Sequence, residues 1–313
     1  MKQYSILFSL SCVLLTGAVF SQGTIKAGKG IIGKEHYAMS NGLKIYLWEK
    51  YHKDFDKTFK QSKKIALLVH GGTWVGRTDF DLEIRDYSLM DFLARNGYDV
   101  WSIDIHGYGR SSKTDKDWSD TASAAKDINA ATDYILKTRR ISKILLMGYS
   151  WGTQTAGLFV IEHPEKVEKL ALFAMAWKGT PALTDRPMLK EQYRIDPGVD
   201  RKRDLVAGEY EDDVVEKLGY DAVARSPKAP NGGRNDMISR LPMLQPDKIT
   251  VRTLIVRAEK DYASTEDELL EFYGKLGTRE KSFVSLPDDG HAMIFEKGHR
   301  KLQSALLNFF DQK

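Results

Sequence analysis

The segment Ile144-Leu145-Leu146-Met147-Gly148-Tyr149-Ser150-Trp151-Gly152 constrains this chain more than any other. A continuous apolar run ends in Gly-x-Ser-x-Gly, and a helix-compatible stretch follows at once. Such a string predicts a strand, a tight turn and a helix, with Ser150 at the bend. Glycine suits positions 148 and 152 because a sharp strand-to-helix reversal packs backbone against backbone, where a Cβ would collide. A turn of this kind holds the Ser150 hydroxyl at the carboxyl edge of a sheet and aims the Trp151 N–H at the same space. The string is short and built of common residues, so its meaning depends on what the rest of the chain supplies.

The rest of the chain supplies strands alternating with helices. His36 to Glu49 reads as a hairpin turning at Asn41-Gly42. Ile65–Val69 is a continuous apolar run, as expected for a strand covered on both faces, and His70-Gly71-Gly72-Thr73-Trp74 follows it. A helix over Leu89–Asn96, capped by Gly97, leads to the strand Asp99–Asp104 and the loop His106–Ser111. A helix from about Ala122 to Thr138 then leads into the opening strand. Beyond Ser150 come a helix to His163, a strand at Val167–Phe173, a strand at Val251–Val256, a helix near Glu266–Gly274, a strand at Lys281–Leu286 and a final helix over Glu296–Phe310. This pattern predicts an α/β fold with a mostly parallel sheet of about eight strands, covered by helices on both faces.

The alternation breaks between Trp177 and Lys248. Seven of the nine prolines fall there, among dense charges and short amphipathic pieces such as Val214–Leu218, and no clean strand is visible. The segment reads as an inserted cap without a core of its own. The expected organisation is a signal segment at 1–21, a mobile leader at 22–35, a core from 36–176 and 249–313, and a cap at 177–248.

The signal segment rests on Lys2, the uncharged stretch Ile6–Phe20 and a cleavage-like Val19-Phe20-Ser21. It is too short and wrongly flanked for a spanning helix, so no stable membrane insertion is expected once it is removed. Export to the periplasm or the extracellular space follows. Cys12, the only cysteine, lies inside this segment, so the mature chain lacks disulfides, a catalytic thiol and any thiolate metal site. A net charge of +4 without a dominant basic block gives no sign of a nucleic-acid partner. Gly23–Lys29 approaches a phosphate-binding loop, but Gly30 stands where Ser or Thr is needed and no strand precedes it.

A serine hydroxyl is a weak nucleophile at neutral pH and needs an adjacent base, itself oriented by a third group. In a parallel sheet these groups must come from loops at the carboxyl ends of strands. His291, in Asp288-Asp289-Gly290-His291 beyond the last strand, is the best-placed base. His70 and His106 also follow strands but open glycine-rich loops. Asp261 is the expected orienting acid, with Glu259 its competitor and Asp288 or Asp289 behind it. The order Ser, Asp, His is one of the known triad orders. The N–H groups of Trp151 and Gly72, with Thr73 second to Gly72, are the expected oxyanion donors, each worth about 3–4 kcal/mol. Activity is expected to rise with pH through an apparent value of ~6–7. No metal and no organic cofactor is called for.

At this point the chain resembles an α/β-hydrolase fold serine hydrolase, from about His36 to the C-terminus. His70-Gly71-Gly72 is similar to that family's oxyanion loop, and Gly148–Gly152 to its nucleophile elbow. Asp104–Ser111 resembles its Asp-x-Arg-Gly-x-Gly-x-Ser block, with His106 replacing the usual arginine. The resemblance implies a cap inserted after the sixth strand, and it implies hydrolysis of a small-molecule ester or acyl substrate. Iminopeptidases on this fold often read Gly-x-Ser-Trp-Gly at the elbow and carry acidic cap residues, a role open to Glu209, Glu211, Asp212 and Asp213. The Pro-Gly of their oxyanion loop is missing here. A carboxylesterase is therefore placed first, an aminopeptidase second and a non-catalytic binding protein third. Thr73, Trp74, Trp177 and Tyr193 are the candidate substrate contacts.

Overall fold

The computed structural model of the chain describes residues 24–26, 30–116, 118–195 and 201–312. In chain order its strands are β1 (Thr24–Lys26), β2 (Ile31–Ser40), β3 (Leu43–His52), β4 (Ile65–Val69), β5 (Asp99–Asp104), β6 (Ile144–Tyr149), β7 (Val167–Phe173), β8 (Tyr193–Ile195), β9 (Lys228–Pro230), β10 (Arg252–Ala258) and β11 (Lys281–Leu286). Strands β8 and β9 pair with each other, and the other nine form one sheet in the order β1-β2-β3-β5-β4-β6-β7-β10-β11. From β5 to β11 every neighbouring pair is parallel, whereas β1, β2 and β3 extend the sheet antiparallel at one edge. The hairpin β2–β3 turns at Asn41 and Gly42, both at positive φ (47° and 83°), the geometry that matches the twist of paired strands.

The apolar runs of the central strands are continuous because each face of the sheet has its own helical cover. Side chains alternate across a strand, so successive residues feed different cores. Ile65, Leu67 and Val69 of β4, with Leu146 of β6 and Leu172 of β7, pack under the helices Thr121–Arg139, Trp151–Glu162 and Glu266–Lys275. Ala66, Leu68, Met147 and Phe173 pack on the other side, under the helices Leu89–Arg95 and His299–Asp311.

Sheet order then creates the crevice. The chain places β5 on one side of β4 and returns to place β6 on the other. The loops leaving the carboxyl ends of β4 and β6 therefore meet at one edge of the sheet, with Gly152 against the carbonyls of Val69 and His70.

Two expectations change. Ile31–Lys34 belong to β2 and pair with β1 and β3, so this part of the expected leader is sheet. The Gly/Lys-rich composition hid the alternation that buries Ile31 and Gly33 on one side of the strand. The segment 177–248 connects β7 and β10, neighbours in the sheet, and it contains helices at Pro181–Thr184, Asp212–Arg225 and Gly232–Ser239. It also contains β8 and β9, each three residues long and too short for alternation to show in sequence. Residues 1–21, expected as a signal segment, lie outside the described residues. Among those described, no helix is long and apolar enough to cross a membrane.

One buried ion cluster ties β3 to the second face. The Lys50 ammonium has no exposure and lies 2.6 Å from Asp81 and 2.7 Å from Asp91, while Asp81 also accepts from Trp48 Nε1 and Ser88. Removing one member of such a group strands a buried charge. Lys50→Met should therefore lower unfolding stability by about 3–5 kcal/mol, read as a fall in the denaturant midpoint.

Candidate active site

Ser150 sits between β6 and the helix Trp151–Glu162 with φ 54° and ψ −121°, a strained conformation for a residue with a side chain. The glycines on either side make it possible. A Cβ on Gly148 would lie 2.3 Å from the Gly152 carbonyl oxygen, and one on Gly152 would lie 2.4 Å from that of Val69. The Ser150 N–H, donating to the Phe173 carbonyl at 3.0 Å, anchors the bend to β7. The serine is the N-cap of its helix yet makes no side-chain capping bond, so its hydroxyl is left for another partner.

That partner is His291. Ser150 Oγ lies 2.8 Å from His291 Nε2, and His291 Nδ1 lies 2.8 Å from Asp261 Oδ1. Asp261 follows β10 and is almost fully buried, its Oδ1 also accepting the Ala263 N–H. The competing acids are engaged elsewhere: Glu259 accepts the Asp288 N–H, and Asp289 accepts the Gly298 N–H and meets Lys301. With Asp261 accepting at Nδ1, that nitrogen carries the proton and Nε2 is free to take one from the serine. Burial alone would lower the His291 pKa. The charge and hydrogen bond of Asp261, helped by the charge of Asp204, outweigh it and hold the imidazole above its ordinary value.

The loop after β4 closes the other side. His70 is buried without exposure, and burial lowers its pKa to about 4, so the ring is neutral. Its Nε2 accepts the Ile105 N–H at 3.1 Å, which leaves Nδ1 protonated to donate to the Gly71 carbonyl at 2.7 Å. A trans peptide points its C=O and N–H in opposite directions, so fixing the Gly71 carbonyl also fixes the Gly72 N–H. The Gly71 N–H donates to Asp79. The Gly72 carbonyl accepts from the Tyr108 hydroxyl and from Arg194. Trp151 N–H, at the first position of its helix, has no intrahelical acceptor and carries the positive end of the helix dipole.

These groups wall a cavity of about 100 Å³. Gly72, Thr73, Trp74, Ser150, Trp151 and His291 line it as expected, with Gly71 beside them. Trp177 and Tyr193 do not. The Trp177 indole is buried, donating to the Leu244 carbonyl and packing edge-on against Phe272, because the chain turns into the core after β7. Tyr193 begins β8, whose neighbour Arg194 reaches the cavity in its place. His106 is bonded to Asp127 at 2.5 Å and ties its loop to the helix Thr121–Arg139.

Unforeseen in the sequence are the cavity residues Arg186, Arg194, Asp204 and Arg234 from the inserted segment, and Asp79 and Tyr262 from the core. The segment carries seven arginines, and nothing in their spacing singles out these three. The helix Gly232–Ser239 seats Arg234 against the cavity because Gly233 lets the backbone lie on the Trp151 indole, where a Cβ would come within 2.3 Å of the ring.

The chain is similar to known hydrolases. The family described as serine aminopeptidase, S33, matches residues 60–298. A probable lipase of Schizosaccharomyces pombe is 34% identical over 121 residues, covering 36% of this chain and 25% of that protein. The 2-hydroxy-6-oxononadienedioate/2-hydroxy-6-oxononatrienedioate hydrolase of Escherichia coli is 28% identical over 127 residues, 41% of each chain. The matches thus span well under half the length of these relatives. An esterase from Thermogutta terrifontis superimposes with a TM-score of 0.64 at 18% identity, over 88% of this chain and 97% of that one.

The imidazole must be neutral to accept the Ser150 proton, and Asp261 holds its pKa above the ordinary histidine value. The rate of Ser150 labelling by a fluorophosphonate should therefore climb with pH, with the rise displaced upward from that of an ordinary imidazole. Asp261→Asn removes the group that raises this pKa. It should move the rise to lower pH and slow labelling by a factor of about 10⁴.

Proposed function

The chain belongs to the serine aminopeptidase S33 family of α/β hydrolases, and on that premise we propose that it is an exported serine hydrolase that cleaves a carboxylic ester. The observation that carries the reading is the continuous path from Ser150 Oγ through His291 to Asp261, each contact 2.8 Å, facing a cavity beside two oriented N–H groups. His291 Nε2 takes the hydroxyl proton as Ser150 Oγ attacks the ester carbonyl. The oxyanion is received by the N–H groups of Gly72 and Trp151. Asp261 holds the ring and offsets its positive charge. His291 then protonates the leaving alcohol, and water, activated in the same way, releases the acid. No metal or organic cofactor enters these steps. Lys2, the apolar stretch Ile6–Phe20 and the absence of cysteine beyond residue 12 support export to the periplasm or the medium.

The family description keeps an aminopeptidase as the second reading. That chemistry needs carboxylates to hold the free amine of the substrate, and the acidic run nominated for it is committed elsewhere. Glu211 and Asp213 pair with Arg85, Asp212 pairs with Lys202 at 2.8 Å, and neither these three nor Glu209 lines the cavity. The cap carboxylate that does line it is Asp204, which accepts from the Tyr262 hydroxyl at 3.1 Å. The ester reading is therefore preferred.

Fluorophosphonate labelling of the wild type, lost in Ser150→Ala, is the expected result; labelling elsewhere, or none on folded protein, refutes the mechanism. On amino-acid nitroanilides, turnover is expected to be at least about 100-fold below that on short-chain nitrophenyl esters. The reverse order would make the protein a peptidase.

A further inference from the structure

Three guanidinium groups meet at the cavity from three separate pieces of the inserted segment. Arg186 follows the helix Pro181–Thr184, Arg194 lies in β8, and Arg234 lies in the helix Gly232–Ser239. None is needed for ester hydrolysis by the steps above. Among the described residues, Arg194 is bound by neutral acceptors alone, the carbonyls of Pro230 and Gly72 and the side chain of Asn231, and no carboxylate pairs with it. Arg186 donates through Nε to the Ala182 carbonyl and lies 5.7 Å from the Tyr262 ring, while its two terminal nitrogens have no hydrogen-bond partner among the described residues. It is half-buried and near enough to the base to weigh on it, lowering the His291 pKa.

Among the described residues, the acids lining the cavity do not pair with Arg186 or Arg194. Asp261 is spent on His291. Asp204 accepts from the Tyr262 hydroxyl and is one carboxylate beside Arg186 and Arg194. Asp79 is pushed up to about 7 by burial, so it carries at most part of a negative charge near neutral pH. A half-buried guanidinium fork with both terminal nitrogens unengaged presents the geometry that binds a carboxylate through two parallel hydrogen bonds.

We infer that the cavity selects an acyl group carrying its own carboxylate, the half-ester of a short dicarboxylic acid, with Arg186 receiving the distal carboxylate and Arg194 and Arg234 supplying the surrounding positive potential. The inference rests on the ester-hydrolase reading for its chemistry, while the anion site can be tested without turnover. The core thus supplies the reacting groups and the inserted segment the selectivity.

The kinetic test compares mono-4-nitrophenyl glutarate with 4-nitrophenyl pentanoate, which differ by a carboxylate in place of a methyl group. The wild type should favour the glutarate by at least about tenfold in kcat/KM. The advantage should shrink between low and high salt, because part of it is attraction between charges. Arg186→Gln should bring the ratio close to one, and Arg186→Lys should restore part of it. A wild-type ratio of one or below, with both esters cleaved, overturns the proposal. The binding arm uses Ser150→Ala, in which glutarate should raise the melting temperature and glutaramide should not, with the shift lost on adding Arg186→Gln. A glutarate-specific shift without cleavage of either ester would uphold the anion site and refute the ester reading. No shift with glutarate would refute the anion site. Arg186→Gln is read only if its unfolding temperature matches that of wild type, and the salt dependence of the wild type remains decisive otherwise.

Discussion

Close packing of backbone at the carboxyl ends of β4 and β6 is the constraint on which this structure depends. Gly152 lies under the carbonyls of Val69 and His70, and Gly148 lies against Gly152 itself, with no room for a Cβ at either position. That packing brings the turn at Ser150 beside the His70-Gly71-Gly72 loop and holds the serine at a positive φ. Once the two loops touch, the helix starting at Trp151 directs its N-terminus into the same space as the Gly71–Gly72 peptide. The strain at one residue is sustained by glycines, strand pairing and a bond to β7 on all sides. The remaining loops have only to reach this point.

Polar burial in this region serves position, each group holding another in place. His70 is kept neutral by burial and uses both ring nitrogens, one to accept from Ile105 and one to hold the Gly71 carbonyl. Asp79 holds the neighbouring N–H, and Tyr108 and Arg194 hold the Gly72 carbonyl. A buried polar group without a partner is costly, so each such bond also resists displacement of the loop. Arg194 has a double place in this arrangement, since it belongs to the inserted segment and grips a loop of the core. Movement of that segment would be felt at Gly72.

How much of this was legible in sequence depended on how local the cause was. Ser150, Asp261 and His291 were readable because a parallel sheet sends its loops to one edge, so three short motifs after three strands had to converge. Trp177 was misread as a cavity residue because an aromatic after a strand carries no sign of direction, and here it turns into the core against Phe272. Tyr193 was chosen over its neighbour Arg194, a one-residue error in a strand whose alternation is too short to read. Composition alone makes 22–35 a leader, because the pairing of β1 with β2 leaves no mark in a segment rich in glycine and lysine.

The sequence by itself determined the alternating architecture, the bend at Ser150 and the residue types around it, because periodicity, glycine placement and chain order are local properties tied to backbone sterics. Only the tertiary structure decided between Asp261 and its competitor Glu259 at His291, which peptide His70 orients and which of the described cap arginines face the cavity. Those depend on contacts between residues far apart in the chain, in a segment whose turns follow no repeat. A charge becomes part of a site only when folding gives it a direction, and no spacing along the chain encodes that.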